Sequence, residues 1–328
     1  MCKNFKIDKR IGNMNTITID MQKSEKKLDN DVVSLLDQVL LNNIKIKLNY
    51  LSSFHNRHSK STHINKVADW LMDEFNNIGY HDVYFDNYKA QIDNCSYNLK
   101  NVICTKEGNY NKYILICAHY DTILKANTKD VISRAPGAND NASGVSAILE
   151  IARILYNQPQ MNYGIQFILF SGEEQSLLGS EHYAQYVKEN GIEIFRLINL
   201  DMIGNPFLGP GIVIVEVDNY DDKDDKCRYN KVKGNDNASI ECGNLMAKMS
   251  MYTDLKPPLL KHIYGSDYEH FEAKGHVVIG AYDGSAEEDE NPHYHSATDT
   301  PDLINWNYLT SVTKMVLATI LTLQKEKP

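Results

Sequence analysis

Hydrophobic residues recur at helical spacing in the first part of the chain. From Asp31 to Ser52 the apolar positions fall three or four residues apart, and the stretch from Ser61 to Asn77 repeats this spacing up to Gly79. The spacing matches the 3.6-residue turn of an α-helix, and glycine commonly follows the last residue of a helix. We therefore predict two amphipathic helices ahead of the rest of the fold.

Beyond these helices, short apolar runs alternate with longer amphipathic segments. Runs such as YILICA and QFILF are continuously apolar, which is typical of strands that are covered on both faces. Strands are predicted at residues 101–105, 113–118, 165–170, 197–200, 212–217 and 276–281. Helices are predicted at residues 142–156, 177–188, 240–251, 267–273 and 306–324. This order indicates an α/β fold with a mostly parallel central sheet and helices on both faces.

The chain is long enough for one large α/β domain, with 328 residues and a mass of 37.4 kDa. Residues 1–30 are polar and charged throughout, so we expect a loosely ordered leader there. No internal repeat or low-complexity tract divides the remainder. We therefore predict a single domain over residues 31–328.

Composition narrows the classes of partner and compartment. A net charge of −9 and a pI of about 5.7 argue against a nucleic-acid partner, which normally requires clustered lysine and arginine. No stretch approaches the roughly 20 apolar residues of a membrane span. The N-terminal residues lack the apolar run of an export signal, so from them alone we expect a cytoplasmic protein without a membrane partner. The oligomeric state is not indicated by the sequence.

The cysteines indicate neither a structural zinc site nor a disulfide scaffold. There are six, and none forms a CxxC pair. Cys104 and Cys117 lie in apolar runs and are predicted to be buried thiols. Cys227 and Cys242 are the two that would pair in an oxidising compartment.

Side chains that bind metals or move protons follow three of the predicted strands. His119 and Asp121 follow the run YILICA, Glu173 and Glu174 follow QFILF, and Asp201 follows RLINL. In an open parallel sheet, ligands bind at the carboxyl ends of the strands. We therefore expect these side chains to lie together at one edge of the sheet.

Two further segments carry candidate ligands. Asp140 lies in the turn APGANDNASG, where it is a metal ligand unless it or Asn141 merely caps the following helix. His295 lies in the polar segment PHYHSATDT, beside a second histidine, His293. A site for two zinc ions needs about one imidazole and one or two carboxylates for each metal, including a bridge. His295 completes that set, and His293 and His270 are its weaker competitors.

The five segments together resemble a known family. The motifs AHYDT, GANDNASG, FSGEEQSLLGS, NLDMIG and YHSATDT resemble the metal-site signature of the zinc aminopeptidases of peptidase family M28. The resemblance spans roughly residues 101–305. The segment LSSFHNRHSKSTHINKVADWLMDEF also resembles the N-terminal helices of secreted bacterial leucyl aminopeptidases, which implies secretion and conflicts with the expectation from the N-terminus.

The resemblance implies how the metal ligands are shared. Asp140 is expected to bridge two zinc ions through its two carboxylate oxygens. His119 and Asp201 are then the remaining protein ligands of one zinc ion. Glu174 and His295 are those of the other, and a water between the metals is the nucleophile.

The resemblance also implies the catalytic residues. Two nearby cations lower the pKa of a shared water, and Glu173 is expected to act as the general base and then as the general acid. Asp121, two residues beyond His119, is predicted to accept the other imidazole N–H and so to orient the ring. The substrate implied is a peptide with a free N-terminus.

One segment is expected to border the substrate side chain. Tyr264 precedes the sequence GSDYEHF, which resembles the family segment at that position. Tyr264 is therefore predicted to contact the substrate, although a rim or core position is an alternative. The family commonly has histidine after this Ser-Asp pair, whereas Tyr268 stands here. No predicted metal ligand is affected by that departure.

Three alternatives remain. Glutaminyl cyclases have a similar sheet but one zinc ion, and they lack the GEExxLLGS form. Di-zinc dipeptidases or deacylases of the M20 type usually insert a second domain and carry a Lys-Gly pair after the bridging aspartate, which is absent here. A binding protein without catalytic activity would have lost ligands or the base, and all six of these residues are present.

Overall fold

The structure is a computed structural model that describes residues 28–159, 161–218, 235–263, 265–286 and 291–327. Of the predicted leader, only residues 28–30 fall within these ranges. Tyr264 and Cys227 lie outside them, so the expectations for these residues stay predictions. Among the described helices, none combines the length and the hydropathy that a bilayer span requires.

Eight strands form one sheet in the described part of the chain. Their bounds are β1 Val83–Ile92, β2 Cys95–Lys106, β3 Gly108–His119, β4 Met161–Phe170, β5 Ile194–Leu200, β6 Ile214–Val217, β7 Leu259–His262 and β8 Val278–Tyr282. The spatial order is β1-β2-β4-β3-β5-β8-β6-β7.

The centre of the sheet is parallel, as predicted. Strands β4, β3, β5 and β8 pair in parallel, and β7 pairs in parallel with β6. Antiparallel pairs join β1 to β2, β2 to β4 and β6 to β8, so they are confined to the flanks. Because β4, β3 and β5 are adjacent and parallel, their carboxyl ends meet at one edge of the sheet.

Two strands were not predicted from the sequence. β1 forms a hairpin with β2, and the turn residues Asp93 and Asn94 have positive φ values of 51° and 64°, as in tight hairpin turns. Only the second half of β1 alternates between exposed and buried residues, so β1 lacks the continuous apolar run of the central strands. β7 has only two apolar residues, which are followed by Lys261 and His262, so it also lacks such a run.

The described helices agree with the prediction except near the start of the chain. Their bounds are α1 Asn30–Leu36, α2 Leu41–Ser53, α3 Ile64–Ile78, α4 Ser143–Tyr156, α5 Leu178–Glu189, α6 Asp236–Met249, α7 Glu269–Glu272 and α8 Trp306–Leu323. The prediction of one helix from Asp31 to Ser52 was wrong, because a short non-helical segment separates α1 from α2. In this segment the backbone N–H of Leu40 donates to Glu150 Oε1 at 2.7 Å, so a buried carboxylate of α4 stabilises the interruption between the two helices.

The continuously apolar strands fill two hydrophobic cores, one on each face of the sheet. In β3, Ile114 and Ile116 belong to one core, whereas Leu115 and Cys117 belong to the other. Helices α1–α4, α6 and α8 cover the first core, and α5 and α7 cover the second. This arrangement confirms an α/β fold with helices on both faces, and it leaves the carboxyl edge of the sheet to the connecting loops.

Candidate metal centre

The carboxyl edge brings the candidate residues of three strands together. His119 is the last residue of β3, and Asp201 directly follows β5. Glu173 and Glu174 follow the end of β4. Since β3 lies between β4 and β5, the imidazole of His119 is flanked on both sides by carboxylates, and its Nε2 lies 3.3 Å from Asp201 Oδ1.

Asp140 reaches the same edge from the loop that precedes α4. The backbone N–H groups of Asn139 and Asp140 donate to the carboxylate of Asp299, at 2.9 and 3.0 Å. Asp299 was not predicted as a site residue, although it belongs to the segment YHSATDT. The N-cap of α4 is Ala142, which makes no side-chain capping bond, so Asp140 does not cap this helix.

The two oxygens of Asp140 face two different histidines. His119 Nε2 lies 3.2 Å from Asp140 Oδ1, and His295 Nε2 lies 3.0 Å from Asp140 Oδ2 and 3.0 Å from Glu174 Oε2. We call His119, Asp140 and Asp201 the strand group, and Glu174, Asp140 and His295 the loop group. In each group one ligand atom per residue lies within 4.8 Å of the others.

The spacing of these atoms fits a metal ion in each group. Tetrahedral bonds of about 2.0–2.1 Å put neighbouring ligand atoms roughly 3.3 Å apart, which is close to the distances in both groups. Glu174 Oε1 is buried and has no hydrogen-bond partner among the described residues. Imidazole nitrogens and carboxylate oxygens are also the donors that zinc commonly takes. The residues present therefore fit two ions that share Asp140.

The centre attracts positive charge. Burial lowers the pKa of His295, but the charge of Glu174 and hydrogen bonds to Asp140 and Glu174 outweigh it and raise the pKa to about 11. For His119, too, the carboxylates Asp201 and Glu173 outweigh burial, and its pKa lies well above the usual value. Both imidazoles are thus held where a cation is strongly favoured.

A comparison with known protein families matches residues 101–320 to Peptidase family M28. The chain belongs to peptidase family M28. The match covers all five motifs and every residue of the strand and loop groups.

Curated relatives carry peptidase names. The M28 chain is 34% identical over 196 residues to a "Probable zinc metalloprotease" of Pyrenophora teres f. teres, which covers 54% of this chain and 42% of that protein. It therefore spans about two fifths of that relative. It is also 27% identical over 301 residues to a "Probable leucine aminopeptidase" of Trichophyton verrucosum, which covers 87% of this chain and 74% of the relative.

Solved structures share the fold of the M28 chain. The LapA aminopeptidase of Legionella pneumophila superposes with a TM-score of 0.73 at 24% identity, over 92% of this chain and 76% of that one. A glutaminyl cyclase of Bacteroides thetaiotaomicron superposes with a TM-score of 0.69 at 21% identity, over 88% of this chain and 99% of that one. At these identities the likeness shows the fold alone.

In the M28 chain, Asp121 lies behind the two glutamates. Its oxygens accept hydrogen bonds from the backbone N–H groups of Glu173 and Glu174, at 3.2 and 3.3 Å, and from Ser59 Oγ at 3.3 Å. The distance from His119 Nδ1 to Asp121 Oδ1 is 3.7 Å, which is longer than an ordinary hydrogen bond. Asp121 therefore contacts the turn of the glutamates more closely than it contacts the imidazole.

A chain of hydrogen bonds fixes the second oxygen of Asp201. Ser266 Oγ donates to Asp201 Oδ2 at 2.6 Å, and Asn199 Nδ2 donates to Ser266 Oγ at 2.8 Å. Asp201 Oδ1, which faces His119, is thus the oxygen left for a metal. Neither of these contacts was predicted, because they join residues that are 65 and 67 positions apart.

Tyr294 is a further residue of the centre that the sequence did not identify. Its ring stacks on that of His295 with centroids 3.7 Å apart. Burial, followed by the charges of Asp140, Glu174 and Glu173, raises its pKa well above the usual value, so the phenol stays protonated. His293, the alternative to His295 as a ligand, makes a hydrogen bond between its Nδ1 and Thr298 Oγ1 at 2.8 Å and belongs to neither group.

Proposed function

We propose that this protein is an aminopeptidase that removes N-terminal residues from peptides with the help of two zinc ions. The observation that carries the proposal is the division of Asp140, whose two oxygens face His119 and His295 at 3.2 and 3.0 Å. A carboxylate that serves two neighbouring metal groups is the arrangement that a bridged two-metal centre requires. The names of the curated relatives support the aminopeptidase assignment.

Five residues would hold the ions. The strand group would bind one through His119, Asp140 and Asp201, and the loop group would bind the other through Glu174, Asp140 and His295. When bound, two zinc ions supply Lewis acidity and make water a nucleophile near neutral pH.

Glu173 is proposed as the general base. Its Oε2 lies 4.0 Å from His119 Nε2, beside both groups. Burial, reinforced by the charges of Asp201 and Glu174, raises its pKa well above the usual value even though His119 opposes the shift. A carboxylate with a raised pKa accepts the proton of the attacking water and returns it to the leaving amine as the C–N bond breaks.

Tyr294 is proposed to stabilise the transition state. Its protonated phenol lies near the carboxylates of the centre. A neutral donor in this place is able to donate a hydrogen bond to the carbonyl oxygen of the scissile bond as that oxygen gains negative charge. Tyr264, which lies outside the described residues, is still proposed to contact the substrate side chain.

The proposal is tested with a panel of aminoacyl nitroanilides, each paired with its N-acetylated form, before and after chelation. We expect cleavage of the free-amine substrates alone, loss of activity with chelator, and recovery with zinc. Cleavage of the blocked substrates would instead indicate an endopeptidase or a deacylase. One zinc ion per chain, with cyclisation of N-terminal glutamine, would favour the glutaminyl cyclase alternative that the shared fold leaves open.

Glu173→Gln tests the proposed role of Glu173 as the general base. The substitution keeps the shape of the side chain but removes the base, so we expect the rate to fall by about 10²–10⁴-fold while the metal content stays unchanged. Full activity in this variant would contradict the role of Glu173.

A further inference from the structure

Arg57 is a fully buried arginine next to the metal centre. It lies in the loop between α2 and α3 and is 0% exposed. Its Nε donates to the carbonyl of Tyr120 at 2.8 Å, and its Nη2 donates to that of Gly137 at 2.9 Å. Its Nη1 donates to the carbonyls of Leu51 and Pro136. The four acceptors are all backbone oxygens.

Three of these carbonyls belong to the segments that deliver metal ligands. Tyr120 directly follows His119, and Pro136 and Gly137 lie just ahead of Asp140. One rigid guanidinium therefore joins the end of β3 to the loop that carries the shared carboxylate. A planar fork of donors suits this task, because each N–H has a fixed direction.

The backbone of Arg57 adds a second connection between the same segments. Its N–H donates to Thr122 Oγ1 at 3.1 Å, and the Thr122 hydroxyl donates to the carbonyl of Ala135 at 3.3 Å. Thr122 follows the end of β3, and Ala135 begins the turn before Asp140. Both the side chain and the backbone of Arg57 thus hold the two segments together.

The charge of Arg57 works against metal binding. Burial lowers its pKa to about 10, with partial compensation by Asp299, Asp140 and Asp121, so the guanidinium remains charged at neutral pH. A buried cation close to a metal centre repels the metal ions. If charge were its main contribution, the removal of Arg57 would strengthen metal binding, whereas a geometric contribution predicts the opposite sign.

We propose that Arg57 is a positioning residue of the metal centre, which fixes the end of β3 against the Asp140 loop so that His119 and Asp140 meet the same ion. This inference rests on the proposed two-metal function. Lysine cannot replace arginine in this role, because one ammonium group cannot reach four carbonyls that diverge around a planar fork.

The test compares Arg57→Gln and Arg57→Lys with Arg153→Gln as the matched control. Arg153 makes an ion pair with Glu150 in α4 and does not contact the centre. For each folded protein, zinc affinity is measured by competition with a chelator, and the melting temperature is measured with and without zinc. The wild type is measured in parallel.

We expect both Arg57 variants to bind zinc about 10–100-fold more weakly than the wild type, as is typical when a residue that orients metal ligands is lost. Arg153→Gln should keep wild-type affinity, whatever its melting temperature. Excess zinc should restore kcat in the Arg57 variants, because the residues that act on the substrate are unchanged.

Equal or tighter zinc binding by Arg57→Gln would overturn the inference, and so would wild-type affinity in Arg57→Lys. If Arg57→Gln does not fold, Arg57→Lys decides, and Thr122→Val takes its place if that variant does not fold either. In the deciding variant, weaker zinc binding supports the inference and unchanged binding refutes it. A wild-type protein that binds no zinc would refute the proposed function itself, so the two failures are distinguishable.

Discussion

The strand group and the loop group of the candidate metal centre are built in different ways. His119 and Asp201 stand at the ends of β3 and β5, which are hydrogen-bonded neighbours in the centre of the sheet. Glu174 and His295 come from loops, and His295 has a φ of 50°, an unusual value for a residue other than glycine. The side chain of His119 is 1% exposed, whereas that of His295 is 16% exposed.

This difference predicts unequal binding by the two groups. Ligands on central strands are held by the sheet, while loops open locally at lower free energy. The backbone of His295 is held by a hydrogen bond from the N–H of Lys125 at 2.8 Å, itself in a loop. We therefore expect the strand group to bind its ion more tightly than the loop group, with Asp140 as the residue on which both depend.

Asp140→Asn should have the largest effect, because it weakens both groups at once. The substitution removes the negative charge and leaves one oxygen where two are needed. We expect less than one zinc ion per chain and a loss of hydrolysis by several orders of magnitude, measured by metal analysis and nitroanilide assay. Asp302→Asn, at an exposed position, is the control and should behave like the wild type. Retention of two ions in Asp140→Asn would contradict the bridge.

His119→Ala and His295→Ala separate the two groups. Each variant should retain about one zinc ion, and the ion left in His295→Ala should be the more tightly bound. In the metal-free state, His119→Ala should also lower the free energy of unfolding by about 3–5 kcal/mol, since it leaves buried carboxylates without their partner. His295→Ala should lower the free energy of unfolding by less, because the side chain of His295 is more exposed than that of His119. Equal zinc affinities and equal melting temperatures in the two variants would remove the distinction between the groups.

Acid should release zinc from both groups. The pKa of His295 is raised to about 11 in the metal-free chain, and that of His119 is also raised, so each ion must displace a proton. The zinc affinity of the loop group should therefore fall by about tenfold for each pH unit below about 11, or roughly a hundredfold from pH 8 to pH 6, and the affinity of the strand group should fall in the same direction. Chelator competition at the two pH values measures this, and a pH-independent affinity would contradict it.

Ser266→Ala should have the smallest effect and should act on the strand group alone. The variant loses the 2.6 Å hydrogen bond to Asp201 Oδ2 and frees this carboxylate to rotate. We expect roughly tenfold weaker binding of the tighter ion, and unchanged binding of the other. Ser296→Ala is the control. It lies in the segment that carries His295, so it should leave zinc binding by the strand group unchanged. A larger loss in the loop group than in the strand group would show that Ser266 acts elsewhere.

The sequence indicated the candidate residues that follow strands more directly than those that lie in other loops. A continuously apolar run followed by a charged or imidazole side chain identified His119, Asp201 and the two glutamates, because central parallel strands end at one edge. His295 follows no strand, and it was found only by counting the ligands that a metal pair needs and by family resemblance. The flanking strands β1 and β7 were missed because neither has the apolar run of a buried strand.

The residues that position the candidate ligands could not be predicted from local sequence patterns. Asp299 holds the backbone of Asn139 from 160 positions away, and Arg57 reaches Gly137 across 80 positions. A buried arginine or aspartate has no periodicity that distinguishes it from a surface residue. Such positions become visible only when the fold shows which backbone groups they contact.

Anomalous diffraction from crystals grown with zinc is the most direct test of the centre. We expect two peaks, each about 2 Å from a different oxygen of Asp140, with one beside His119 and the other beside His295. The peak beside His119 should be the more fully occupied when zinc is limiting. A single peak, or two peaks that do not share Asp140, would contradict the two-metal centre.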